Sequence, residues 1–397
     1  VTFNAEPLNL PMKRRAIGLL AAAHLFDDLN QGVVPALLPF FIAERRYTIA
    51  AAGGLVLAAT LTSSVLQPLF GLLADRRGAP WLVPSGLFVA GAGVAAAGLA
   101  PTYPLAFLSV AVSGVGVAAF HPEAARQVYA ASGAKRATAM SLFGVGGNAG
   151  FAIGPALATP LQIAFGLRGT VFLILPVLVM AVVLLLARSA AAGGRPAAAR
   201  LQVAPEDPDR WAPFGRLSGA VVCRAIVFYG LNTFIPLYWI TRFARSKSEA
   251  AMALTVMLTT GVVGTLAGGW LADRFGRRVV ISGSLTALFP LLVLLVAAQS
   301  AAAALLLLVP IGLALFAPFS VMTVLGQEYL PGRVGTASGV TVGLAMSLGG
   351  LAAPILGRIA DLHGVRAALA ALVFVPLVGA AIAFTLPKEG SRDRSTG

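Results

Sequence analysis

Apolar stretches of about twenty residues recur along the chain, each long enough to cross a hydrocarbon core of about 30 Å as a helix. Twelve spans are predicted: 16–42, 50–74, 81–100, 105–125, 137–161 and 170–187, then 214–240, 250–272, 279–298, 302–325, 335–356 and 365–386. The intervening 188–213 is rich in Ala, Gly, Pro and Arg and reads as a flexible connector. The expected fold is therefore an all-α integral membrane protein: residues 1–187 as an N-terminal six-helix half, 188–213 as a cytoplasmic linker, and 214–397 as a C-terminal six-helix half with a short tail.

The first span breaks the apolar pattern near its middle with His24, Asp27, Asp28, Asn30 and Gln31. At about 100° per residue, His24, Asp27, Asp28 and Gln31 share an arc of about 100°, while Asn30 points elsewhere. An Asp at a helix centre costs about 2.5–3.5 kcal/mol to insert, whereas a Leu or Phe returns only about 0.3–0.6. The polar face must therefore meet other helices or a watery path, where a carboxylate can pair, titrate or hold a cation. The plainer reading is a satisfied packing contact between neighbouring polar side chains.

Composition sharpens this picture. The 397 residues are 58% hydrophobic and 11% charged, with a mean hydropathy of +0.87, which excludes a soluble fold with a single solvated surface. The formal charge of +14 does not mark a nucleic-acid binder, because the basic residues lie in short loops with no aromatic-interleaved basic surface. With the N-terminus inside, 20 Lys and Arg fall on the inner side and 8 on the outer, which predicts cytoplasmic termini. Lys13, Arg14 and Arg15 mimic the start of a signal peptide, but the apolar stretch continues too far, so a retained helix is expected. A lone cysteine, Cys223, allows neither an intrachain disulfide nor a cysteine metal site.

An internal repeat organises the halves. Gly71-Leu-Leu-Ala-Asp75-Arg76-Arg-Gly78 and Gly269-Trp-Leu-Ala-Asp273-Arg274-Phe-Gly276 agree at six of eight positions, 198 residues apart, each closing the second span of its half. Mechanically, glycines permit close helix approach, the Asp is expected to face a neighbouring helix's positive end, and Arg with Gly makes a tight turn. These octamers resemble the loop signature of the major facilitator superfamily. That resemblance implies two six-helix halves around a central substrate path, working by alternating access, and assigns Gly71, Asp75, Arg76, Gly269, Asp273 and Arg274 to gating.

Other polar residues interrupt later spans. His121-Pro122-Glu123 and Arg126 close the fourth: Glu123 and Arg126 are i,i+3 neighbours able to pair, and Pro122 frees backbone carbonyls that water or His121 could use. Glu123 reads either as an interfacial ion pair or as a proton-coupling acid, and His121 as a titratable group near neutral pH. Glu328, in the run ending at Arg333, is the tenth-span counterpart and suits a solvated interface, so both join the gating set. Arg224 either snorkels along the seventh span or faces the substrate path and holds an anion, with Tyr229 and Asn232 expected near the same face. The fifth span, 144–155, is dense in glycine around Asn148 and favours close packing. Gln31, Asn148, Arg224, Tyr229, Asn232 and Arg126 form the candidate substrate-binding set.

Gly150, Gly154 and Pro155 partly match a superfamily motif associated with exporters. A closer resemblance rests on His24, Asp27, Asp28 and Gln31, on Gln67-Pro68 with Gly71 and Asp75, on Pro80-Trp81, on His121-Pro122-Glu123 with Arg126, and on Gln327 to Arg333. Together these resemble the fosmidomycin resistance protein family over essentially the whole membrane region. The resemblance implies proton-driven efflux of a small toxic compound from a bacterial inner membrane, by a monomer in the lipid bilayer that uses the proton motive force and no cofactor. Asp28, Asp27, His24, Glu123 and His121 would carry the protons. The chain departs from the family in carrying Asp27 where that family has Asn. Proton-coupled uptake uses the same parts, and divalent metal transport through His24, Asp27 and Asp28 is a third reading. No HExxH or GxSxG constellation points to an enzyme.

Overall fold

The computed structural model describes residues 12–133, 136–191 and 208–387, and every regular element among them is helical. In chain order these are α1 (Arg14–Arg45), α2 (Ile49–Arg77), α3 (Leu82–Leu99), α4 (Tyr103–Ala131), α5 (Arg136–Phe165), α6 (Ile174–Ala191), α7 (Trp211–Phe243) and α8 (Lys247–Phe275). There follow α9 (Arg277–Ala297), α10 (Ala301–Phe316), α11 (Pro318–Tyr329), α12 (Val334–Ser338), α13 (Ala345–His363), α14 (Val365–Leu372) and α15 (Val375–Phe384). Among the described residues ten helical runs are long and apolar enough to cross a membrane. The expected twelve differs from this at two places. Thr138–Ala187 counts as one run, although a 3₁₀ segment, Gly166–Leu173, divides it into α5 and α6. Helix α1, with 32 residues, is about 48 Å long but carries the two aspartates.

Some boundaries shift from the sequence reading. Helix α4 continues to Ala131, so Glu123 lies within the helix and not in its closing turn. The connector expected over 188–213 narrows, since α6 runs to Ala191 and α7 starts at Trp211; its centre, 192–207, lies outside the described residues.

Packing separates two compact units: Val1–Val34 with Thr62–Leu201, and Pro35–Leu61 with Gln202–Gly397. In the first, Ile17 and Leu20 of α1, Leu87 of α3, Phe120 and Val128 of α4, Phe143 of α5 and Val177 of α6 make one buried apolar cluster. The second unit includes 35–61, which the repeat assigned to the other half. The reason is backbone-close packing on α13: a Cβ at Gly53 would fall 2.7 Å from the Ala353 carbonyl oxygen, and one at Gly357 2.6 Å from the Ala50 Cα. Asp361, near the end of α13, accepts from the Ile49 and Ala50 N–H groups at 2.8 and 3.0 Å and so caps the start of α2.

Both octamers end as expected. Gly78 and Gly276 have φ of +58° and +91°, a region glycine enters without steric cost. Each donates its N–H to the alanine four residues back, Ala74 or Ala272, at 3.0 and 2.9 Å. The helix-terminus partner expected for the octamer aspartates is not found at Asp273, which is exposed and makes no hydrogen bond or ion pair among the described residues. A carboxylate in that position is hydrated by solvent and needs no helix end. The contact of that kind occurs instead at Asp361. Replacing Asp361 with Ala should lower stability by about 1 kcal/mol, the worth of a helix cap, read as a reduced thermal midpoint of the purified protein; an unchanged midpoint would remove Asp361 as a structural cap.

Candidate functional site

Three elements of the first unit bring the polar residues together. Helix α1 supplies His24, Asp27, Asp28 and Gln31, all buried, with Asp27 at 0% exposure. Helix α4 supplies His121, whose side chain retains 23% exposure. Helix α5 supplies a glycine face that lets α1 approach: a Cβ at Gly147 would overlap both the Asp28 carboxylate and the His24 ring, and one at Gly146 or Gly150 would overlap the Ala21 or Leu25 carbonyl. Gly147 therefore has to be glycine for the cluster to form as it stands.

The geometry is a triangle of ligand atoms. His24 Nε2 lies 3.2 Å from Asp28 Oδ2, His121 Nε2 lies 3.4 Å from Asp28 Oδ1, and the two Nε2 atoms are 3.1 Å apart. Gln31 Nε2 donates to Asp28 Oδ1 at 2.7 Å. Each ring is anchored through its other nitrogen, His24 Nδ1 at 2.7 Å from the Phe143 carbonyl oxygen and His121 Nδ1 at 3.0 Å from that of Val117. Phe143 also stacks on His24, with ring centroids 4.0 Å apart.

These anchors orient both rings. A carbonyl can only accept, so both Nδ1 atoms carry hydrogen. If both rings were neutral, two Nε2 lone pairs would face one another beside a carboxylate, with nothing donating between them. A proton on one of the two Nε2 atoms would supply the missing donor. Asp27 is a second acid without a matching donor: neither of its oxygens is hydrogen-bonded, and Oδ2 lies 3.4 Å from His121 Nδ1. The same triangle has the composition of a metal tripod, with His24, Asp28 and His121 each offering one atom within 4.8 Å of the others. The metal reading from sequence used Asp27 in place of His121; the fold turns Asp27 to the far side of the His121 ring.

The remaining candidates separate. Glu123, 0% exposed, is held by Arg126 Nε and Nη2 at 2.8 and 2.7 Å and by Gln127 at 2.9 Å. It makes no hydrogen bond to the His–Asp cluster, because i,i+3 pairing satisfies both its oxygens locally. Asn148 is half-buried on α5 beside Gly147. Arg224 does not snorkel along α7: it is 7% exposed and its guanidinium lies 4.9 Å from the ring centroid of Phe319 on α11. Tyr229 turns its ring edge toward α13, where a Cβ at Gly349 would stand 2.6 Å from it. Five residues turn a helix by about 140°, so this is what helix geometry requires. Asn232 is fully buried with neither amide atom hydrogen-bonded.

Of the gating candidates, Glu328 pairs with Arg277, the first residue of α9 after the second octamer. The first octamer has a related neighbour, with the Arg126 Nη2 3.7 Å from a Cβ built on Gly78 and Pro122 3.7 Å from one on Gly71. Arg333 pairs with Asp209 at 3.2 Å and covers the Trp211 ring. Arg274 lies over Trp270 and Phe275 of its own helix, Arg76 and Gly269 lie at the α2 and α8 ends, and the side chain of Asp75 is outside those described. Sequence reasoning missed Gly147, Phe143 and Phe319. The glycine density of 144–155 was the available signal for the first; a backbone carbonyl and an aromatic packing partner leave none.

Comparison with known proteins agrees with this architecture. The Major Facilitator Superfamily profile matches residues 20–354. The chain is 32% identical over 382 residues to the MFS-type transporter YfnC of Bacillus subtilis (strain 168), covering 94% of this chain and 92% of that one. It is 31% identical over 383 residues to the fosmidomycin resistance protein of Escherichia coli (strain K12), covering 95% and 94%. Among solved structures, a bacterial homolog of the human lysosomal transporter Spinster, inward-facing and occupied, superposes with a TM-score of 0.78 at 18% identity, covering 94% of this chain and 97% of that one. With a transporter fold, and with its polar cluster enclosed by membrane-length helices, the chain belongs to the major facilitator superfamily.

Proposed function

We propose that this transporter exports a small toxic compound by alternating access, in exchange for protons carried by the His24–Asp28–His121 cluster. The observation that carries the reading is the pair of imidazole Nε2 atoms 3.1 Å apart against one carboxylate, an arrangement that a shared proton would stabilise. A proton entering the cluster bridges His24 and His121 and neutralises Asp28. When it leaves, the lone pairs repel and Asp28 loses the positive charge beside it while keeping the Gln31 hydrogen bond, so the local packing of α1 on α4 and α5 favours a different arrangement. Proton occupancy is thereby linked to helix position, which is the requirement for coupling. Asp27 offers a second proton acceptor on the other edge of His121, at 3.4 Å.

Export is supported by the partial exporter motif at Gly150, Gly154 and Pro155 and by the relative whose name is fosmidomycin resistance protein. A bacterial inner membrane and a monomeric state follow the same resemblance. Glu123 is assigned to holding α4 through Arg126 and not to proton transfer. A second reading, divalent cation transport, is favoured by the three converging ligand atoms.

Two experiments test the cluster. In energised inverted vesicles, addition of fosmidomycin or another small toxic compound should release protons from the lumen, and Asp28→Asn should reduce that flux to background while the protein still purifies as a folded species. Flux unchanged in the variant would remove Asp28 from the mechanism, proton uptake into the lumen would indicate symport, and a response to divalent metals alone would favour the cation reading. Separately, Gly147→Ala should impair transport strongly, because its methyl group occupies the space of the His24 ring and overpacking costs about 1–3 kcal/mol. Gly144→Ala, on the same helix with nothing within 4 Å, should transport normally; equal activity in the two variants would show that the cluster need not be so compact.

A further inference from the structure

The polar cluster of the first unit holds more acid than a single proton balances. Asp27 and Asp28 bring two carboxylates into a buried site whose imidazoles each keep one proton on Nδ1. A proton on an Nε2 atom offsets only one of them. Asp28 is met by His24, His121 and Gln31. Asp27 is 0% exposed, neither of its oxygens is hydrogen-bonded, and its Oδ2 lies 3.4 Å from His121 Nδ1. Arg126 on α4 is committed to Glu123 and makes no ion pair with Asp27.

A divalent metal ion meets both the charge and the geometry. The ligand atoms are 3.1 Å apart between the two Nε2 atoms, 3.2 Å from His24 to Asp28 and 3.4 Å from His121 to Asp28. Tetrahedral Zn²⁺ holds N and O ligands at about 2.0–2.2 Å, so its ligands stand about 3.3–3.6 Å apart. The triangle thus matches a zinc tripod to within a few tenths of an ångström, and no other group of His, Cys, Asp or Glu among the described residues gathers ligand atoms in this way. Its surroundings are also those of a metal site. Each Nδ1–H is held by a carbonyl, which fixes the tautomer whose Nε2 lone pair is free to ligate. Asp27 stands behind His121, the place of the carboxylate in a carboxylate–histidine–metal relay. Gln31 orients Asp28, and Phe143 stacks on His24. Two nitrogens and an oxygen select Zn²⁺ or Co²⁺ over Mg²⁺ and Ca²⁺, which take six or more oxygens. Three protein ligands leave a fourth position for water, and the 23% exposure of the His121 side chain gives access.

We propose that His24, Asp28 and His121 form an inhibitory site for Zn²⁺ or a similar transition-metal ion, with Asp27 as the second carboxylate that balances its charge. This rests on the proton-exchange reading of the cluster and adds its regulation. The ion takes the place of the proton between the Nε2 atoms, but it differs from a proton in bonding α1 to α4 through three ligands at once. A proton leaves the pair during each cycle, whereas the metal holds both helices at the spacing seen here and stops the cycle. Asp27 is a positioning residue: it acts on the ion through the His121 ring and does not ligate it.

Cobalt reports the site, because four-coordinate Co²⁺ absorbs strongly in the visible while Zn²⁺, a d¹⁰ ion, is silent. The full chain, free of any histidine tag and held in phosphatidylcholine nanodiscs, should give that spectrum with about one equivalent of Co²⁺ and lose it on adding Zn²⁺. His24→Gln, His121→Gln and Asp28→Asn should each remove the spectrum. Asp27→Asn should keep it at about tenfold lower affinity, and His363→Gln, at the exposed end of α13, should change nothing. Folding of each variant is read from its size-exclusion profile and melting curve. In proteoliposomes with an imposed pH gradient, Zn²⁺ should suppress fosmidomycin-dependent proton flux at the concentration that fills the Co²⁺ site, a chelator should restore it, and radioactive zinc should not accumulate inside. No four-coordinate spectrum in the wild type, or an unchanged one in a folded Asp28→Asn, overturns the site, and unchanged affinity in Asp27→Asn overturns the charge-balancing role. Asp28-dependent flux that persists at saturating Zn²⁺ defeats the inhibition alone, and Asp28-dependent zinc accumulation replaces it with transport. The cobalt spectrum without any Asp28-dependent flux defeats proton exchange, and the inhibition with it, while the metal site stands.

Discussion

Charge buried at membrane depth has to be compensated within a few ångströms, and that requirement governs how the first unit is built. Asp28 is tolerable in α1 only because His24, His121 and Gln31 reach it, and they reach it only because α5 presents glycine where any side chain would intrude. The apolar cluster around Phe120 and Phe143 closes over the same point. Small residues thus do electrostatic service here: they set the distance at which two imidazoles and a carboxylate meet. Glu123 and Arg126 obey the same rule one turn further along α4, but satisfy it within one helix, so their pairing is independent of how α1 sits.

This difference explains how much the sequence revealed. The all-helical fold and the octamer repeat follow from periodicity, which is a local property, and the one-sided placement of His24, Asp27, Asp28 and Gln31 follows from helix geometry alone. The convergence of His121 on that face does not, because it depends on where α4 meets α1 across 97 residues of chain. The anchoring by the Phe143 and Val117 carbonyls is illegible for a further reason: every residue has a carbonyl. Asp361 escaped notice because attention to acids fell on span interiors, while its partners are backbone N–H groups 311 and 312 residues earlier.

The octamers illustrate a pattern that holds and a reason that does not. Their last glycines turn with positive φ in both units, as two copies of one device should. Yet Asp273 has no helix end to face in this conformation, while Asp361 has one. In a transporter that alternates between states, such contacts need not all be formed together. A carboxylate on a helix terminus is worth about 0.3–1 kcal/mol in exposed positions, small enough to be broken and remade during a cycle. Contacts of this size can bias a conformational equilibrium without locking it.

Exchange with protons, as proposed, also bears on direction when the solute is an anion. A proton moving inward and an organic anion moving outward both carry charge down a membrane potential that is negative inside, each contributing about 2.3 kcal/mol per elementary charge per 100 mV. Uptake of the same anion with one proton would be electrically neutral and gain nothing from the potential. Proton exchange as proposed therefore has a stronger driving force for export of an anionic solute than for its uptake. The polarity of the solute and the direction of transport are in this sense a single question.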